Sequence, residues 1–117
     1  MRKLDLKNYT ISVRNPQGVI KFVTFQFRES IAGILTHPSL GLNGPELLLA
    51  DKLAERVEKS ELDILLTDDE YLQLVDSCKR FRGFNRNDTQ LVKRIYNCPV
   101  IPNQDIKKGG KTNVQED

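Results

Sequence analysis

Two stretches near the N-terminus have the two-residue period of β-strands. Residues 9–13 alternate polar and apolar side chains, and residues 19–27 are rich in β-branched and aromatic residues. Between them, Pro16 and Gly18 stand at the second and last positions of a typical tight turn. We therefore predict a β-hairpin over residues 8–27.

The second predicted strand has apolar side chains on both faces. Val19 and Val23 lie on one face, and Ile20 and Phe22 lie on the other. Either the same chain covers both faces, or a second chain covers the face that the helices leave exposed. Ile20 and Phe22 are therefore the residues that we expect to mediate self-association.

The middle of the chain has the apolar spacing of helices. Residues 28–36 favour a short helix with Ser30 as its N-cap, and residues 45–59 favour a longer helix capped by Gly44. Between residues 61 and 66 the side chains alternate again, which indicates either a short third strand or an extended entry to the next helix.

Two further helices are predicted near the C-terminus. Thr67 and Glu70 have the spacing of a capping box, so a helix is expected over residues 68–82, ended by Gly83. A last amphipathic helix is expected to be capped by Asn87 or Asp88 and to stop before Pro99.

The predicted elements indicate an α+β fold. We expect an N-terminal β-hairpin, with the possible third short strand, packed against about three main helices in a single domain over residues 1–102. Residues 103–117 are polar and contain glycine, which predicts a disordered tail.

Charge is unevenly distributed along the chain, although the net charge is only +2. Residues 1–28 and 77–96 each carry a net charge of +5, whereas residues 54–76 carry −6. Such segregation can steer partners or attract copies of the same protein, and it also follows from acids at helix starts and bases at helix ends. A protein partner or a second copy is the expected partner.

The two cysteines and the N-terminus bear on the cellular compartment. Cys78 and Cys98 have no CxxC partner and fit small buried hydrophobic positions, although spacing leaves a disulfide between them open. Residues 1–7 lack the apolar segment of a signal peptide, and no apolar run is long enough to span a bilayer. We therefore expect a cytoplasmic protein that does not bind membranes, in the host cytoplasm if phage-encoded.

Candidate catalytic groups are few. His37 is the only histidine, and no nucleophile motif accompanies it. Asp63, Asp68 and Asp69 could form a carboxylate site, but acids also belong in a first helical turn. The sequence predicts no catalytic residues, no metal site and no cofactor. An enzymatic function ranks third, after an interaction protein and a nucleic-acid-binding regulator.

The C-terminal region contains a basic segment with an interleaved aromatic residue. Basic side chains neutralise phosphates and an exposed aromatic ring can stack on a base, and the two predicted helices loosely resemble a helix-turn-helix. The candidate residues for binding nucleic acid or a partner are Lys79, Arg80, Arg82, Phe84, Arg86, Lys93 and Arg94.

The order of elements over about residues 9–98 resembles that of small accessory proteins encoded by tailed bacteriophages. The likeness rests on the capped segment Leu62–Tyr71 and on Leu91–Ile95. It implies a phage or prophage setting and no defined activity.

The leading hypothesis is a non-enzymatic interaction protein, a phage-type accessory or regulatory factor that self-associates. The alternative is a nucleic-acid-binding regulator that uses the basic C-terminal segment.

Overall fold

The computed structural model describes residues 1–101. The predicted tail over residues 103–117 therefore lies outside the described residues, as does Pro102 at the end of the predicted domain. The elements in chain order are β1 (Arg2–Asp5), β2 (Tyr9–Arg14), β3 (Ile20–Phe25), α1 (Phe27–Leu35), α2 (Gly44–Lys59), β4 (Asp63–Leu66), α3 (Asp68–Arg80) and α4 (Thr89–Tyr96), with 3-10 turns at Pro38–Leu40 and Arg86–Asp88. The predicted α+β class is confirmed.

The described strands form two separate antiparallel pairs. β2 pairs with β3, as predicted, and β4 is the third strand that the alternation of residues 61–66 indicated. β4 does not extend the hairpin, however, because it pairs with β1, a strand that the sequence reading missed. Leu4 in β1 and Leu6 just beyond it point into the core, and this burial anchors the N-terminus to the rest of the fold.

The turn of the hairpin forms as the sequence predicts. The Gly18 amide donates to the Asn15 carbonyl (2.9 Å), and the Asn15 amide donates to the Val19 carbonyl (2.9 Å). Gly18 adopts a φ of 85°, which glycine accommodates without strain. The three-residue loop and the left-handed glycine match a type I turn followed by a bulge, a common hairpin connection.

Two predicted N-caps are wrong. α1 begins at Phe27, so Ser30 lies in its first turn, and the Asn8 side chain, from outside the helix, accepts from the Phe27 amide (3.0 Å). In α2 the N-cap is Asn43 rather than Gly44. Its side chain accepts from the Glu46 amide, and the Glu46 carboxylate accepts from the Asn43 amide in return. An asparagine side chain supplies the acceptor that glycine lacks.

The capping box at the start of α3 is confirmed, because Thr67 accepts from the Glu70 amide and Glu70 accepts from the Thr67 amide. The end of α3 differs from the prediction. The helix stops at Arg80, and Phe81 is extended, so Gly83 lies beyond the cap. This turn of the backbone places the Phe81 ring 4.8 Å from His37 and 4.6 Å from Phe84, measured between ring centroids.

The N-cap of α4 is Asp88, one of the two predicted residues, but its side chain makes no bond to the helix. Its carboxylate instead accepts from the Asn85 amide (2.9 Å) and closes the preceding 3-10 turn.

The core is built around α1. Phe27, Ile31 and Leu35 on this helix are fully buried, and they belong to one cluster with buried side chains from α2, α3 and α4 and from the β1–β4 pair. The partners are Leu4, Leu6, Leu53, Val57, Ile64, Leu66, Leu74, Leu91 and Ile95. Only the base of the hairpin touches this cluster, through the partly buried rings of Tyr9 and Phe25.

Candidate interaction surfaces

The hairpin projects from the core and leaves both of its faces exposed. At its base Tyr9 and Phe25 stack with ring centroids 4.6 Å apart. Beyond this pair nearly all side chains of β2 and β3 are exposed. The described residues have principal extents of 60 × 34 × 22 Å and a radius of gyration of 16.5 Å, above the roughly 13 Å expected for a compact domain of this size.

The two predicted self-association residues lie on this exposed surface. Phe22 is 76% exposed and Ile20 is 51% exposed. The opposite face of the hairpin carries a second apolar set, formed by Val13, Val19 and Val23. Neither strand of the hairpin has a third strand beside it in the described part of the chain. The hairpin therefore combines free strand edges with apolar side chains, which is the usual composition of a site for strand pairing between chains.

The basic C-terminal candidates do not form one exposed set. Lys79, Arg80, Arg82 and Arg86 are exposed, and the Arg80 guanidinium pairs with Asp76 at 3.1 Å. Phe84 is half-buried against Phe81, so its ring is partly engaged in packing.

Arg94 is engaged by the fold. Its Nη1 donates to the Asp5 carbonyl (3.1 Å) and to the Lys7 carbonyl (2.7 Å). Its guanidinium also lies over the Phe27 ring, 4.2 Å from the centroid, and 5.4 Å from the Tyr9 centroid. Arg94 thus ties α4 to the segment between β1 and β2. Its long-range partners are 67 to 89 positions away in the chain, so no local sequence pattern could have indicated this role.

A groove of about 670 Å³ lies between β1, the start of β4 and α4. Its apolar surface comes from Leu4, Leu62 and Pro99, and Leu62 is 65% exposed. The charged and polar residues around it are Lys3, Asp5, Lys7, Asp63, Gln90, Lys93, Arg94 and Asn97. We call this site the basic groove. Sequence reasoning found Lys93 and Arg94 but missed Lys3, Lys7 and Leu62.

The carboxylate candidates are separated by their pairings. Asp63 pairs with Lys3 at 3.7 Å, and Asp68 lies 3.6 Å from the N-terminal amine. Asp69 is exposed in the first turn of α3. Among the described residues no group of three His, Cys, Asp or Glu side chains is arranged to hold a metal ion.

His37 belongs to a turn cap. Its Nδ1 accepts from the Ser39 amide (3.1 Å) and lies 2.9 Å from the Ser39 Oγ. The same Oγ accepts from the Arg82 amide (3.1 Å), so these groups join the 3-10 turn at Pro38–Leu40 to the chain that leaves α3. These contacts give both side chains a structural role in the turn.

Both cysteines are buried free thiols, as the small-hydrophobe interpretation predicts. Burial raises the pKa of the Cys78 thiol from 9.0 to about 11. Burial also raises the pKa of Cys98, and the nearby Arg2 guanidinium partly opposes this rise. Raised pKa values keep the thiols protonated and unreactive at neutral pH.

No helix in the described residues has the length and apolarity needed to cross a membrane. Comparisons of this chain with protein-family models, with curated proteins and with solved structures found no match in any of the three.

Proposed function

We propose that this protein is a non-enzymatic interaction protein of the phage accessory or regulatory type, and that it self-associates through the β2–β3 hairpin. The observation that carries the proposal is the exposed apolar surface on a projecting hairpin with free edges. Burying one large apolar side chain such as Phe22 contributes about 1.5–3 kcal/mol. Several such side chains on one hairpin favour association.

The hydrogen-bonding pattern of the hairpin identifies its open edge. The bond from the Asn15 amide to the Val19 carbonyl closes the turn. Hydrogen-bonded and non-hydrogen-bonded pairs then alternate along an antiparallel ladder, which makes Ser12 and Phe22 a non-hydrogen-bonded pair. The amide and carbonyl of Phe22 therefore point away from β2, towards the free edge of β3.

We infer that β3 pairs with β3 of a second copy around a two-fold axis at Phe22. This register places the two Phe22 side chains opposite each other and Ile20 opposite Thr24. Lys21 then lies opposite Val23, so the basic side chains of the two copies do not face each other directly. A contact of a surface with itself around a two-fold axis is the commonest arrangement of homodimers.

A cysteine at the axis tests this arrangement. In a Phe22→Cys variant the two thiols would face each other across a hydrogen-bonded strand pair with a Cα separation of about 5.5 Å, close enough for a short bifunctional maleimide to join them. Ile20 and Val23 remain in place to support the contact. We expect rapid formation of a covalent dimer with this cross-linker, measured by denaturing electrophoresis.

Leu48→Cys is the matched control, because Leu48 on α2 is 74% exposed, nearly as much as Phe22. Its cross-linking should stay slow, and the buried Cys78 and Cys98 should not compete. Equal cross-linking of the two variants, or none in Phe22→Cys, would contradict the proposed pairing.

A further inference from the structure

We propose that the basic groove between β1, β4 and α4 binds a short acidic peptide segment that carries leucine-like side chains. This is a second binding surface, distinct from the hairpin edge and independent of self-association. The rigidity of the groove, its charge and its apolar floor support the proposal.

The walls of the basic groove are joined by hydrogen bonds between distant parts of the chain. The Lys3 amide donates to the Pro99 carbonyl (3.1 Å), and the Leu6 amide donates to the Leu62 carbonyl (2.9 Å). Arg94 holds α4 against the chain after β1 through its two bonds to carbonyl oxygens. The groove is thus largely preformed, so a ligand meets walls that are already ordered.

The charges in the groove leave an excess of positive charge. Asp5 accepts from the Lys7 amide (2.9 Å), and Asp63 pairs with Lys3, so both acids are already engaged. Lys7 and Lys93 form no ion pair with any described residue. Their ammonium groups are therefore available for the carboxylates of a partner.

The apolar floor of the groove favours an anionic partner that also carries aliphatic side chains. Leu62 and Pro99 are exposed beside the buried Leu4, which provides an apolar surface for an aliphatic side chain. None of the described residues that line the groove is aromatic, so they offer no stacking surface of the kind that single-stranded nucleic acids use. An acidic peptide with leucine side chains matches both the charge and the floor better than a polynucleotide does.

Fluorescence anisotropy with three labelled probes tests the proposal on the full-length protein. The first probe is a hexapeptide with two central leucines flanked by aspartates and glutamates. The second has serine in place of leucine, and the third is an oligothymidylate of the same net charge. We expect the leucine peptide to bind at least about tenfold more tightly than either of the others.

The double variant Lys7→Glu/Lys93→Glu should weaken binding of the leucine peptide by at least about tenfold. The matched control Lys79→Glu/Arg82→Glu reverses two exposed charges outside the groove and should leave binding within about twofold of the original. Circular dichroism checks that each variant is folded.

Three results would overturn the proposal. The first is equal or tighter binding of the serine peptide or of the oligothymidylate, which would indicate a site for charge alone or for a polynucleotide. The second is unchanged binding in the groove variant. The third is the absence of binding of the leucine peptide at low salt.

Discussion

At the scale of single residues, Arg94 illustrates how tertiary contacts redefine a charged side chain. Sequence reading placed it in a basic surface for nucleic acid or a partner. In the fold its guanidinium donates to two carbonyl oxygens and covers an aromatic ring. A lysine at this position keeps the charge but cannot reproduce the planar group that makes both contacts.

We therefore predict that Arg94→Lys lowers the free energy of unfolding by about 1–3 kcal/mol, as expected for lost hydrogen bonds to a charged group. The measurement is urea-induced unfolding followed by circular dichroism. Arg86→Lys is the control, because Arg86 is exposed, and it should change stability by less than about 0.5 kcal/mol. Equal effects of the two substitutions would show that the contacts of Arg94 do not stabilise the fold.

Because the Cys78 thiol is buried, we predict that the protein loses stability at high pH. Because burial raises the pKa of Cys78 to about 11, the folded state keeps the thiol protonated where the unfolded state, near 9.0, ionises. The contribution of the protonated Cys78 thiol to the free energy of unfolding is complete below pH 9 and is lost as the pH rises from 9 through 11. Melting temperatures measured between pH 8 and 11 should fall less steeply in Cys78→Ala than in the original protein. Parallel curves would contradict the assignment to Cys78.

At the scale of elements, the two strand pairs differ in how the rest of the chain supports them. β1 and β4 contribute buried leucines and isoleucine to the core, whereas the outer part of the hairpin contributes none. A two-stranded hairpin without a covered face is only marginally stable in water. We therefore expect a partner to stabilise the outer hairpin more than any other element of the described fold.

Hydrogen exchange should distinguish the two pairs. At dilutions where the protein is a monomer, we predict that the amide of Val13 exchanges much faster than that of Leu4, because local opening of the outer hairpin disrupts no core contact. The measurement is exchange followed by nuclear magnetic resonance. Raising the protein concentration should slow exchange of the Phe22 amide. Protection of the hairpin equal to that of β1 in the monomer would contradict this view of the element.

Local patterns predicted the hairpin, its turn and the Thr67–Glu70 capping box, because each depends on residues that are close in the chain. They missed β1, whose alternation amounts to Leu4 and the following Leu6 and is too short to stand out. They also misplaced the N-cap of α1 at Ser30, because the Asn8 side chain that binds the Phe27 amide comes from outside the helix. The partner strand of β4 is β1, which lies about 60 positions earlier in the chain. No local pattern indicates a pairing over that distance.

At the scale of the whole molecule, both candidate surfaces depend on how distant parts of the chain pack. The basic groove brings together Lys3, Lys7, Leu62 and Lys93, which only the packed fold makes neighbours. The two-faced apolar pattern of β3 predicted the hairpin surface. Its exposure could not be predicted locally, because it depends on the helices, which pack on β1 and β4 and leave the outer hairpin uncovered. We therefore propose two separate contact surfaces, one for a second copy of the chain and one for an acidic partner.

The most direct test of the central claim is the molar mass in solution, measured by light scattering across a concentration series. The account predicts that the mass rises from the 13.4 kDa of the monomer towards twice that value, and that Phe22→Lys, which places like charges across the axis, stays folded and monomeric. A mass that remains at 13.4 kDa throughout, or a Phe22→Lys variant that associates like the original, would contradict it.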